Sequence, residues 1–300
     1  MSRVVQHPVH AFLVCVLGIA LFSGMDAVMK GLVLAIGTFT TMFWRNLIGM
    51  GLSGFAYLPR RPSWPSRATL GIHVARGVVS TGMGFLFFWG IGRVPLAQAI
   101  ALAFIAPLIA LYLAAVLLDE SVGRRTVVAS LVAFAGVLVI FIGQARGELG
   151  REALIGSLAI LGSAILYALN IILMRRQALV ADPLEITFFQ SVIVTVVLAL
   201  FIPVAGLSLP PMPQWPWLFL AACLAISSLM LLGWAYARAE ASYLAATEYT
   251  AFLWASLFGW LVFHEPLSPY TIAGAVLIVG GCIVVVRKPL DSNPPLEAAA

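Results

Sequence analysis

The chain has 300 residues, of which 62% are hydrophobic and 10% charged, and it carries a net charge of +5. A mean hydropathy of +1.05, with a charged share far below the roughly one quarter usual in soluble domains, excludes water as the main solvent. The basic balance does not mark a nucleic-acid binder, because the basic residues sit at the ends of apolar segments instead of gathering into a patch.

Read in chain order, the sequence predicts a short cytoplasmic segment, 1–10, and then ten apolar spans. They run over 11–30, 38–58, 69–91, 95–118, 125–143, 153–174, 184–206, 216–237, 242–263 and 269–286. Each is close to the ~20 residues a helix needs to cross hydrocarbon. Strands are the other way to satisfy a backbone in lipid, but stretches such as 96–118 are apolar on all faces and lack the alternation of barrel strands. The fold class is therefore all-α integral membrane, with ten transmembrane helices. The first span is longer than a signal-peptide core, carries Asp26 and lacks an A-x-A cleavage site, so it is expected to remain as a helix. The tail, 287–300, is Pro-rich and is expected to be disordered in the cytoplasm.

Topology follows from the cations. With the N-terminus inside, the inner side holds Arg3, Arg60, Arg61, Arg67, Arg124, Arg125, Arg175, Arg176, Arg238, Arg287 and Lys288. The outer side holds Lys30, Arg93, Arg146 and Arg151, the asymmetry expected when both termini are cytoplasmic. Cys15, Cys223 and Cys282 all lie within apolar spans and lack the paired spacing of a metal site or disulfide framework, so they read as small apolar residues. His7, His10, His73 and His264 are scattered, so no metal and no cofactor is expected; His73, near the start of span 3, is a secondary candidate for the pathway.

Laid over itself, 84–139 matches 229–284 without a gap, pairing Trp89 with Trp234, Arg93 with Arg238, Glu120 with Glu265, Thr126 with Thr271 and Gly136 with Gly281. Upstream the register drifts slightly, yet Asp26 then Lys30 resembles Asn170 then Arg175. Two repeats result, 11–143 and 153–286, each of five spans. Five is odd, so the repeats enter the bilayer from opposite faces, an inverted-repeat topology suited to a cavity that opens to alternate sides.

The stretch Pro107 to Gly136, with Glu120 soon after a helix end and a glycine-containing helix following, resembles the EamA repeat of the drug/metabolite transporter superfamily. The second half repeats it with Glu265 and Gly281, and the resemblance covers nearly the whole chain. It departs at Phe252, where the second half of the family often has a proline matching Pro107, so a bend in span 9 has no support from this residue. The resemblance implies a ten-helix exporter of small metabolites, with amino-acid exporters of the YddG type as the nearest comparison.

Ionisable residues within spans are few and each costs roughly 2.5 to 3.5 kcal/mol at mid-membrane, so each should meet a partner or water. Asp26 on span 1 and Arg45 on span 2 lie at matching depth and would form either a structural ion pair or a gate. Arg76 on span 3 and Glu248 on span 9 lie at matching depth from the inner side and would pair across the two halves. An amino acid needs a cation for its carboxylate, an acceptor for its ammonium and an apolar wall. Arg76 and Glu248 supply the charges, and Gln98, Asn170, Gln190 and Tyr249 are candidates for hydrogen bonds, or else interhelical contacts. Asn170 and Gln190 stand at the inverted positions of Asp26 and Arg45, near the inner face. Pro107 would kink span 4 and act as a hinge.

Trp89 and Trp234 read as interfacial aromatics or as site residues. Gly77, Ser80, Thr81 and Gly84 on span 3 give small-xxx-small packing. The expected function is a secondary transporter of the bacterial-type inner membrane, exporting neutral amino acids, aromatic or other, or related metabolites; the partners are a small-molecule substrate and membrane lipid. The rivals are a membrane-embedded enzyme acting on a lipid-linked substrate and a channel. The enzyme lacks H-E-x-x-H and G-x-S-x-G signatures, and the channel lacks a ring of like groups. Both a monomer and a homodimer are compatible with the sequence.

Overall fold

The computed structural model describes residues 8–60, 64–103, 105–117 and 151–264, with isolated positions between 123 and 139 and at 272, 273, 276, 277 and 280. The described residues form helices and no strand. The helices are α1 (Pro8–Ile36), α2 (Thr38–Tyr57), α3 (Arg67–Ile91), α4 (Leu96–Ala103), α5 (Ile105–Leu117), α6 (Arg151–Val180), α7 (Pro183–Leu200), α8 (Ile202–Ala205), α9 (Trp215–Tyr236), α10 (Ala241–Leu244) and α11 (Thr250–Phe263). Five helices among the described residues are long and apolar enough to cross a membrane: Val9–Ile36, Arg67–Ile91, Leu154–Val180, Pro183–Leu200 and Met212–Tyr236. The predicted spans 5 and 10 are described only at scattered positions, and those positions are helical.

Local chemistry sets the helix ends. Gly37, at φ 79, takes the left-handed turn between α1 and α2 that a side chain would strain. Ser66 caps α3 by accepting from Thr69 N at 3.1 Å. Asp182 caps α7 by accepting from Leu184 N at 2.9 Å and Glu185 N at 3.0 Å, with Pro183 in the first helical position. Span 4 is helical on both sides of residue 104, over α4 and α5, and Pro107 lies in α5. One predicted span is interrupted among the described residues. Span 9 divides into α10, a 3-10 segment at Ala245–Tyr249 and α11. Hydroxyls hold that segment: Thr247 Oγ1 donates to Leu244 O at 2.6 Å, and Thr250 Oγ1 to Thr247 O at 2.7 Å.

Packing repeats itself. The offset that carries Trp89 onto Trp234 also exchanges the two most extensive helix pairs among the described residues, α3 with α6 and α1 with α9, and leaves α2 with α7 as a self-equivalent pair. Each crossing carries a hydrogen bond at the same repeat position with the donor exchanged: Ser163 Oγ to Met83 O at 2.8 Å, and Ser228 Oγ to Gly18 O at 2.8 Å. At α3 with α6 the backbones nearly touch, since a Cβ on Gly90 would lie 2.9 Å from Gly156 O.

The repeat-equivalent tryptophans form identical brackets. The Arg93 guanidinium lies 3.4 Å from the Trp89 ring centroid and donates to Trp89 O at 3.0 Å. Arg238 lies 4.0 Å over Trp234 and donates to Trp234 O at 3.1 Å. Arg93 meets Glu152 in the first turn of α6, whereas Tyr236, beside the second bracket, receives Arg175 from the last turns of α6. The brackets thus stand at opposite ends of the bundle. We call the end carrying Arg60, Arg67, Arg175, Arg176 and Arg238 the basic end.

Leucine, valine and phenylalanine cover much of the outside, as with Leu17, Leu34, Phe55, Leu158 and Val196, while Arg76, Glu248, Asp26 and Asn170 are buried. This inversion of the soluble pattern fits a bundle whose surroundings are apolar. Cys15 is more than an apolar filler: its Sγ lies 3.1 Å from Thr247 Oγ1, against the 3-10 segment.

Candidate functional site

A cavity of about 160 Å³ lies at the centre of the bundle, room for on the order of ten waters. Its acids are Asp26 (α1) and Glu248 (3-10 segment), and its cations are Arg45 (α2) and Arg76 (α3). Asn170 and Tyr167 (α6), Gln190 (α7) and Tyr236 (α9) add hydrogen-bonding groups, and Phe22, Phe87, Phe88 and Met42 supply an apolar wall. Both sequence repeats contribute, as expected of a site at a repeat interface.

The interruption of span 9 places Glu248 on the 3-10 segment, where the chain turns too tightly to continue an α-helical ladder. Its carboxylate accepts from Tyr167 O–H at 2.5 Å and from Tyr236 O–H at 3.2 Å. Arg76 is 2% exposed, and its Nη1 donates to Gln177 Oε1 at 2.7 Å. Gly77 beside it lets α3 press onto α7, since a Cβ there would lie 2.5 Å from Ile193 Cγ2. The expected direct pairing of Arg76 with Glu248 is not observed. Two tyrosines serve the acid and one glutamine serves the cation, so the opposite charges share the cavity without touching each other.

Asp26 and Arg45 also line the cavity, but they do not form the expected ion pair. Arg45 Nη2 donates to Asn46 Oδ1 at 3.2 Å, and Nη1 points to Met25 Sδ at 3.8 Å. Four buried polar atoms of cavity residues are left without a hydrogen-bond partner: Asp26 Oδ1, Arg45 Nε, Arg76 Nε and Gln190 Oε1. Burying such an atom unsatisfied costs about 1 to 3 kcal/mol, more for a charged group. Water or a bound polar molecule in the cavity would satisfy these atoms.

Of the residues selected from sequence, Arg76, Glu248, Asn170, Gln190, Asp26 and Arg45 converge on this cavity. Tyr249 is fully buried but is not part of the lining. Gln98 lies on α4 and Pro107 on α5, both with side chains outside the described set. Asn170 accepts from Ser80 Oγ at 2.8 Å, so Ser80 serves the site and not packing alone. Sequence reasoning missed Tyr167, Tyr236, Gln177 and Glu185. A buried phenol needs a partner for its hydroxyl, and that is the signal by which Tyr167 and Tyr236 could have been noticed.

A chain of hydrogen bonds leads from the cavity to the basic end. Gln177 Nε2 bonds His73 Nδ1. His73 Nε2 lies 3.0 Å from Glu185 Oε1, and Tyr57 O–H donates to Glu185 Oε2 at 3.2 Å. The His73 ring stacks on Phe189 with centroids 4.6 Å apart. Beyond Glu185 lies a polar vestibule of about 270 Å³, lined by Arg60, Trp64, Ser66, Thr69 and Asp182, among others.

The sequence pattern of the EamA-like transporter family matches this chain twice, over residues 10–142 and 154–287. The chain is 27% identical over 278 residues to the pseudopaline exporter CntI of Pseudomonas aeruginosa, covering 92% of this chain and 95% of that protein. It is 27% identical over 283 residues to a riboflavin transporter of Rhizobium johnstonii, covering 90% and 88%. It is 25% identical over 221 residues to an S-adenosylmethionine uptake transporter of Rickettsia bellii, covering 72% of each chain. A crystal structure with 22% sequence identity superposes with a TM-score of 0.75 over 93% of this chain and 98% of that one, a likeness of fold.

Proposed function

The chain belongs to the EamA-like transporter family, and from that premise we propose that it exports amino acids or related small zwitterionic metabolites by alternating access. Ten helices, in two inverted halves of five, cross the inner membrane with the basic end and both termini in the cytoplasm. The observation that carries this reading is the central cavity, in which buried acids and buried cations face one another unpaired. A neutral cavity would suit an apolar cargo, and a cavity of one sign would suit an ion. This one suits a small molecule bearing both charges.

In this reading Arg76 receives the substrate carboxylate through its open Nε, and Glu248 receives the ammonium in place of one tyrosine hydroxyl. Asp26 and Arg45 form a second pair of contacts or a gate, Asn170 and Gln190 orient the substrate, and the phenylalanines and Met42 receive its side chain. The exchangeable packing of α3 with α6 and α1 with α9 supports rocking of one half against the other. That relatives include both a named exporter and a named uptake transporter leaves net direction to the gradient. Counterflow of labelled amino acids into liposomes containing the purified protein tests the proposal. We expect saturable exchange that Arg76→Ala abolishes while the protein stays folded. No exchange of any amino acid would refute the substrate class, and normal exchange by Arg76→Ala would refute the site.

A further inference from the structure

The chain Arg76, Gln177, His73 and Glu185 has only one consistent assignment of protons. Arginine donates and never accepts, so Gln177 must turn Oε1 toward Arg76 and its amide N–H toward His73. His73 Nδ1 is then an acceptor. Its ring proton therefore lies on Nε2 and is donated to Glu185. The arginine fixes a histidine tautomer through one amide.

A proton added to His73 breaks this arrangement. With both ring nitrogens donating, Nδ1 requires an acceptor, and the only acceptor on Gln177 is the Oε1 that holds Arg76. The amide must turn over, which presents its N–H groups to Arg76 Nη1, donor against donor. We propose that His73, with Glu185, is a proton-binding site and that Gln177 transmits its state to Arg76. When His73 is neutral, Gln177 holds Arg76 Nη1; when His73 is protonated, Arg76 is released toward the cavity. The inference deepens the reading of Arg76 as the carboxylate site and rests on it.

Several neighbours bear on the added charge. The added proton comes from solvent in the vestibule at the basic end and rests on Nδ1, and no other covalent bond forms or breaks. Glu185 on α7 lies 3.0 Å from Nε2 to balance the imidazolium, and the Phe189 face lies parallel to the ring at 4.6 Å. Tyr57 on α2 holds the second carboxylate oxygen. Arg76 on α3 opposes the proton from the cavity side, and Arg60 and Asp182 flank Glu185 in the vestibule. α6 presents the uncharged Gln177 itself.

Because the coupling is reciprocal, a carboxylate bound at Arg76 favours proton uptake at His73, and acid strengthens carboxylate binding. The full chain in lipid nanodiscs, labelled with nitrogen-15 in histidine and arginine, reports both ends of the relay by NMR between about pH 5 and about pH 8. His73→Asn and Arg76→Lys assign the signals. In the wild type the Arg76 side-chain signals should shift with the same midpoint as His73. Gln177→Leu should leave His73 titrating and Arg76 unmoved. Gln177→Glu, an acceptor in both states, should hold Arg76 throughout and keeps the test decisive if Gln177→Leu misfolds. The proposal is overturned if His73 does not titrate, if Arg76 ignores it in the wild type, or if Arg76 follows it equally in a folded Gln177 variant. In counterflow, the half-saturating amino-acid concentration should fall by about fivefold or more on acidification in the wild type and stay constant in Gln177→Glu. Silence for every amino acid would refute the substrate class and leave the spectra to decide the relay.

Discussion

Replacing Glu248 by glutamine separates two roles that one carboxylate combines. The substitution keeps shape and at least one acceptor for the Tyr167 and Tyr236 hydroxyls, which stand 2.5 Å and 3.2 Å from the carboxylate. Hydrogen bonds to a charged group are worth about 1.5 to 3 kcal/mol and neutral ones about 0.5 to 1.5, so the fold loses roughly 1 to 3 kcal/mol over two bonds. Against this stands the desolvation of a buried carboxylate, which costs several kcal/mol and vanishes with the charge. Stability should therefore change little. Binding has no such offset. Truncating one partner of a buried charge pair costs about 2 to 5 kcal/mol, which corresponds to a loss of roughly thirty-fold to several thousand-fold in affinity at about 1.4 kcal/mol per tenfold. Counterflow over a range of amino-acid concentrations, with a thermal melt of the same preparation, measures both quantities. A half-saturating concentration within about threefold of wild type, in a protein that melts normally, would remove Glu248 from the site.

Other outcomes follow from named contacts. Gly90→Ala should destabilise the bundle by about 1 to 3 kcal/mol in a detergent melt, because its Cβ would meet Ile160 Cγ1 at 2.5 Å and the immobile Gly156 O at 2.9 Å. Asp182→Ala should cost about 1 kcal/mol through the lost cap of α7. Arg93→Ala and Arg238→Ala should each cost about 0.5 to 1 kcal/mol and should add in the double variant, since their brackets stand at opposite ends of the bundle. Counterflow by either single variant should equal wild type, and a loss would give the brackets a role in transport.

Burial of charge made half of the site legible. An arginine or an acid inside an apolar span has few explanations, and Arg76, Glu248, Asp26 and Arg45 reached the cavity as that reasoning required. Their partners were not legible, because depth along a span says nothing about rotation around it. Arg76 and Glu248 line one cavity, yet Gln177, Tyr167 and Tyr236 take the bonds they were expected to share. A tyrosine in an apolar stretch looks like packing until its hydroxyl is placed. Glu185 and Gln177 lie near helix ends, where polar residues ordinarily face water. The long uninterrupted helices, α1, α3, α6, α7 and α9, followed from hydropathy. The break at Ala245–Tyr249 contains neither proline nor glycine and depends on threonine hydroxyls turning back on the backbone, so composition carried no mark of it. The doubled tryptophan and arginine were visible as a pattern, and their stacking gives the pattern a physical meaning.

The winding of that short break has a further consequence. A 3-10 residue advances about 120° around the axis and an α-helical residue about 100°, so five residues leave the following helix roughly 100° out of phase with a continuous one. This phase decides which side of α11 points outward. Phe252 and Ala255 are buried, whereas Trp260 and Leu261 are half exposed. Rewinding the segment as α-helix would rotate Glu248 off its tyrosines and carry the outer stripe of α11 toward the interior. Thr247 and Thr250, two small hydroxyls, thereby set the rotational register of an entire helix.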